Sequence, residues 1–120
     1  MSVMKTVDRE ILLALWKVHI LHHAAERPVV GLWMMRELRQ HGYEVSPGTL
    51  YPLLQRMARH GWLRCAVAAP GGARARKSYS LTARGRTVVE VVRARVEELA
   101  RELRASGRRT RPATRRRGIA

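Results

Sequence analysis

Acidic residues are scarce in this sequence. Nine Asp and Glu stand against 24 Lys and Arg, a formal charge of +15 over 120 residues. That excess is larger than solubility needs and points to an anionic partner. Cysteine occurs once, as Cys65, which excludes an intramolecular disulfide and makes a reducing cytoplasm the expected compartment. Its neighbours Leu63 and Val67 suggest a buried strand position for it. Long apolar runs are missing: no stretch of about 18 apolar residues exists, so no membrane-spanning helix is expected. The first residues lack the charged start, apolar centre and small-residue cleavage site of a secretion signal. Catalytic groups are equally few. There is one aspartate, no serine in a nucleophile motif, and no phosphate loop or dinucleotide fingerprint. The chain is expected to be neither an enzyme nor a cofactor carrier.

The carboxylates are also unevenly placed. They are Asp8, Glu10, Glu26, Glu37, Glu44, Glu90, Glu97, Glu98 and Glu102, so residues 45–89 hold none, while the same stretch holds eight Lys or Arg. A folded stretch of that length without an acid has the character of a surface turned toward phosphate.

Within the gap, residues 44–62 read E-V-S-P-G-T-L-Y-P-L-L-Q-R-M-A-R-H-G-W. Ser46 is a helix N-cap whose hydroxyl can accept from an early backbone N–H, and Pro47 suits the first helical position. Leu50, Leu53, Leu54 and Met57 recur at i, i+3, i+4, i+7, the apolar stripe of an amphipathic helix. Gly48, Pro52, Gln55 and Arg59 take the opposite face, with Thr49, Tyr51 and Arg56 beside it. Gly61 closes the helix in a left-handed conformation. A helix that hides leucines and shows small, hydrogen-bonding and basic groups is suited to a nucleic-acid groove.

Earlier in the chain, a helix is predicted from Thr6, its cap, to about Glu26. Ile11, Leu12, Leu13, Leu15, Trp16, Val18, Ile20 and Leu21 cover nearly its whole circumference, which requires burial on more than one side. In so small a protein the second side implies another subunit. Arg27-Pro28 breaks that helix. The next is predicted from about Val30 to His41, with Leu32, Met35 and Leu38 inward, Trp33 and Met34 alongside, and Gly42 at its end. Helix, short Gly-containing turn, basic amphipathic helix is the order of a helix-turn-helix.

After Gly61, Trp62 to Ala68 reads as a strand, residues 69–73 (A-P-G-G-A) as a turn, and Arg74 to Leu81 as a returning strand. In that strand Lys77, Tyr79 and Leu81 share one face and Ser78 and Ser80 the other, with Tyr79 expected in the core at the hairpin base. A basic hairpin after a recognition helix is a wing, and it brings Arg74, Arg76 and Lys77 to the backbone or minor groove. Thr82 caps a last helix from Ala83 to about Ser106. Val88, Val92, Val96, Leu99 and Leu103 form its seam, spaced 4, 4, 3 and 4, as in a helix pairing with a partner. Residues 107–120 carry six arginines and no acid and read as a disordered basic tail. The division is therefore 6–82, a winged helix-turn-helix; 83–106, a dimerisation helix; and 107–120, the tail. The fold class is mainly α with a small β-hairpin.

So arranged, the chain resembles the PadR family of bacterial winged-helix transcriptional regulators. The motifs that carry the likeness are V-S-P-G-T-L-Y-P-L-L at Val45 to Leu54 and R-K-S-Y-S-L-T-A-R-G at Arg76 to Gly85. The likeness spans about Glu10 to Leu103 and fits the branch with a single C-terminal helix. It implies a homodimer on an inverted repeat of double-stranded DNA, usually as a repressor. Carried over by position, Ser46, Gly48, Thr49, Tyr51 and Pro52 fall on the groove-facing start of the recognition helix, and Lys77 on the wing. Ala58-Arg59 departs from the leucine-glutamate pair common in the family and removes an acid from the helix end. From the residues themselves, Gln55 and Arg56 could reach base edges, whereas Arg59, Arg74, Arg76 and Lys77 suit phosphates. Two-fold symmetry would set the recognition helices roughly 34 Å apart.

Two further readings stay open. Trp16, Trp33 and Met34, with Met35, could line a pocket for an aromatic or drug-like effector, or simply fill the core. His19, His22 and His23 have a spacing that can bind a metal, but without a nearby carboxylate or cysteine no metal site is expected. The rival in function is a winged-helix interaction module that binds an acidic protein or RNA.

Overall fold

The computed structural model describes residues 8–67 and 76–110, with side chains to 107. Seven elements follow in order: α1 (Arg9–Ala24), β1 (Val29–Val30), α2 (Gly31–Gln40), α3 (Pro47–Arg59), β2 (Leu63–Val67), β3 (Lys77–Leu81) and α4 (Ala83–Thr110). The three strands form one antiparallel sheet in the order β1-β3-β2. Strand β3 is central, pairing Tyr79 with Val29 on one side and with Cys65 on the other.

The core is aliphatic. Ile20 of α1, Met34 and Leu38 of α2, and Leu50, Leu53, Leu54 and Met57 of α3 are all sealed from solvent. Val29, Leu63 and Tyr79 close it from the sheet side, and Val89 from the start of α4. The predicted stripe of α3 is thus buried residue for residue. Both helix-turn junctions end as left-handed glycine caps: φ is +91° at Gly42 and +83° at Gly61. The next residue folds back in each case, Tyr43 N–H donating to Leu38 (3.1 Å) and Trp62 N–H to Met57 (3.1 Å), which satisfies carbonyls the helix end leaves free.

Several expectations are corrected. The predicted second helix begins one residue late, because Val30 joins Val29 in an edge strand on β3; the hairpin is therefore part of a three-stranded sheet. The buried stripe of α2 is Gly31, Met34, Met35 and Leu38, and Leu32 is exposed. Helix α1 starts at Arg9 with the Asp8 carboxylate accepting from Glu10 N–H (2.7 Å), and Thr6 lies outside the described residues. Ser46 caps α3 through its carbonyl alone, which accepts from Thr49 (3.1 Å) and Leu50 (2.9 Å). Its hydroxyl is spent on Thr49 Oγ1 at 3.4 Å instead. Cys65 is exposed: it shares the face of Leu63, but along the edge strand β2 burial stops at Leu63. Helix α4 continues to Thr110, four residues into the predicted tail; residues 111–120, like the turn at 69–73, lie outside the described residues.

The chain divides into two compact units between Val89 and Glu90. In the first, Val88 packs partly against the core. Thr82 anchors this part of the chain. Its hydroxyl donates to Gly61 O (2.5 Å) and accepts from Gly85 N–H (2.9 Å), so one side chain fastens the end of α3 and caps α4. In the second unit, Val96, Leu99 and Leu103 of α4 are 47%, 51% and 63% exposed.

Candidate nucleic-acid interface

Helix α3 presents its polar side because its leucines are committed to the core. Ser46, Gly48, Tyr51, Pro52, Gln55, Arg56 and Arg59 are exposed and Thr49 is half-buried. Pro52 lies inside the helix and lacks an N–H, so the Gly48 carbonyl four residues earlier has no helical donor. The start of α3 is tied to α1, as the Arg9 guanidinium donates to Thr49 Oγ1 at 3.3 Å. The turn before it is held by Arg39, which donates to Val45 O at 3.3 Å.

Beside α3 runs an open groove of about 730 Å³ lined by Tyr51 and Gln55 of α3, Arg76, Lys77 and Tyr79 of the wing strand, Leu32, Trp33 and Arg36 of α2, and the Arg27–Gly31 segment. Among the described residues, four cations and no carboxylate line it. Arg27 and Arg36 lie outside the acid-free stretch of the sequence, so its charge pattern does not mark them for this surface. Arg36 lies four residues beyond Leu32, and the exposure of that residue would have revealed it. Arg76 and Lys77 are exposed as expected, and Arg74 falls outside the described residues. Tyr79 sits in the core at the base of the sheet. Burial, with Cys65 and Tyr51 beside it, pushes its hydroxyl up to about 12, so it stays protonated.

Tyr51 owes its position to a glycine. Its ring lies over the first residue of α2, where a Cβ on Gly31 would overlap it. That contact places an exposed aromatic edge between α3 and the groove.

The three residues that could line an effector pocket or simply fill the core are separated. Trp16 and Met34 are 3% and 0% exposed in the core, whereas Trp33, 42% exposed, lines the groove. Packing against Ile20, Leu38 and their neighbours explains the first two. The histidines of α1 also differ from expectation. Glu26 lies beside His22 and His23, and Glu37 of α2 lies beside His23 and His41, the C-cap of α2, so carboxylates are at hand. The sequence signal was Glu37 and His41 at i, i+4, one face of a helix.

Residues 20–91 match the model of the transcriptional regulator PadR-like family. The chain is 47% identical over 95 residues to transcriptional regulator Rv3488 of Mycobacterium tuberculosis, covering 79% of this chain and 88% of that one. Among solved structures it is similar to a PadR family transcriptional regulator from Eggerthella lenta, with a TM-score of 0.61 and 27% identity over 78% of this chain and 86% of the other. A PadR family regulator from Clostridium difficile shares the fold at a TM-score of 0.67 and 18% identity, covering 75% and 95% of the two chains.

Proposed function

Since the chain belongs to the PadR-like family of transcriptional regulators, which are DNA-binding proteins and not enzymes, we propose that it is a repressor that binds an inverted repeat as a homodimer. One observation carries this reading: the outward face of α3 exposes Gln55, Arg56 and Arg59 directly over leucines and a methionine with no exposure at all. Side chains on a helix so firmly seated can reach base edges from the major groove, with Gln55 suited to adenine and Arg56 to guanine. Arg76 and Lys77 on the wing, together with Arg27 and Arg36 across the groove, supply phosphate contacts that fix the register.

Dimerisation is supported by apolar surface that a lone chain leaves wet. Ile11 and Leu15 on α1 are exposed, as are Val96, Leu99 and Leu103 on α4. Val18 and Val92 are half-buried. A second copy would cover these residues and present two recognition helices to successive major grooves.

Selection of bound fragments from a random duplex pool tests the proposal. The expected product is a palindrome with half-sites about one helical turn apart, bound with an affinity that falls steeply with salt. Binding with no sequence preference at any salt concentration would favour an interaction module for an acidic protein or RNA.

A further inference from the structure

The fold gathers histidines and carboxylates that lie far apart in sequence. His19 and His23 stand one turn apart on α1, and Glu37 of α2 stands four residues before His41, the residue that caps the end of α2, so each pair can point to one side of its helix. The two pairs meet. Glu37 Oε2 lies 3.6 Å from His23 Nε2 and 3.4 Å from His41 Nε2. The His19 and His41 rings have centroids 4.7 Å apart. One ring nitrogen from each of His19, His23 and His41 falls within 4.8 Å of the other two.

Metal geometry gives these distances a meaning. Two donors bound to one tetrahedral ion at about 2.1 Å lie roughly 3.4 Å from each other. The Glu37 oxygen already has that spacing to two imidazoles. The three nitrogens, within 4.8 Å of one another, need to close by at most about 1.4 Å, which rotations about their χ angles can supply. Three imidazoles and one carboxylate suit a borderline divalent ion rather than magnesium or calcium, which take oxygen shells.

We propose that His19, His23, His41 and Glu37 form a binding site for a divalent first-row transition ion of the zinc class, which would clasp α1 to α2. Aromatic walls flank it: the Tyr43 ring stands edge-on to His19 and the Trp33 ring to His23. His22 belongs elsewhere. With His23 and Glu26 it makes a second, more exposed trio.

The test uses the full chain with any affinity tag removed, stripped with chelator and titrated with zinc chloride in a calorimeter. One ion per chain is expected, with magnesium chloride giving no heat of binding. Glu37→Gln keeps the shape of the side chain and should weaken zinc binding at least about tenfold, as should His41→Ala. His22→Ala should leave the affinity unchanged. Zinc should raise the thermal midpoint of the wild-type chain and not that of Glu37→Gln. Zinc affinity unaffected by Glu37→Gln and His41→Ala would overturn the assignment. So would loss of binding in His22→Ala, which would move the ion to the exposed trio. If His41→Ala proves unfolded by circular dichroism, Glu37→Gln alone decides.

Discussion

The Tyr51 ring rests on Gly31 so closely that a Cβ there would stand 3.0 Å from Cζ and 3.1 Å from the hydroxyl oxygen, and nearer still to the ring edge. The start of α2 therefore sets where an exposed aromatic of α3 points. Gly31→Ala must push the ring aside. Tyr51 is exposed enough to swing, and alanine gains up to about 1 kcal/mol of helix propensity over glycine. Stability should therefore change by no more than about 1 kcal/mol, while operator affinity falls several-fold. Thermal unfolding and fluorescence anisotropy measure the two. In a Tyr51→Ala background the effect of Gly31→Ala on affinity should vanish; its persistence would show that Gly31 acts on DNA binding by another route.

Thr82 offers a test of the fold instead of the interface. Its hydroxyl links Gly61 O and Gly85 N–H, so Thr82→Ala removes a helix cap and leaves a part-buried carbonyl without that donor. The expected loss is about 1–2 kcal/mol. Thr82→Ser keeps the hydroxyl and should lose less than half as much. Urea midpoints at constant slope decide; equal losses for both variants would assign the effect to the methyl group.

Contact roles on DNA separate by their dependence on sequence. Gln55→Ala or Arg56→Ala should relax selection at one base-pair position, at a cost of about 1–3 kcal/mol on the preferred site. Arg76→Ala and Lys77→Ala should weaken all duplexes alike and reduce the salt slope by about one each. Binding to a panel of single-substituted operators distinguishes the outcomes. A uniform loss for all four variants would place Gln55 and Arg56 on phosphates.

What was legible in the sequence is what is locally specified. Ser46-Pro47 and Gly61 bracket α3, and the i, i+3, i+4, i+7 stripe between them fixes its inner face without reference to the rest of the chain. Val29 and Val30 form a strand only because Tyr79 and Ser78 lie beside them, a pairing some 50 residues distant that no local pattern reveals. The same strand fixes how α2 enters the core, with Gly31, Met34, Met35 and Leu38 inward and Leu32 exposed. Cys65 fails for a related reason: alternation tells which residues share a face, but not how far the helical layer covers it. The His–Glu cluster is the same case at the level of a site. Each i, i+4 pair is visible in sequence, yet their meeting depends on α1 packing beside α2.

The last prediction concerns the seam of α4. Leu99 and Leu103 are 51% and 63% exposed, and nothing among the described residues of their own unit requires a leucine at either position. If a second copy covers them, a charge at the seam must be desolvated without a partner, which costs several kcal/mol per dimer since the change occurs twice. Leu99→Glu should therefore shift the chain from dimer to monomer at micromolar concentration, as read by sedimentation velocity. Its thermal midpoint measured on the monomer should move little, because the substituted face is already wet there. Binding to the full palindrome should fall by orders of magnitude, toward that for an isolated half-site, as two linked recognition helices become two independent ones. A dimer that persists in Leu99→Glu with full operator affinity would remove α4 from the interface and leave Ile11 and Leu15 of α1 to carry it.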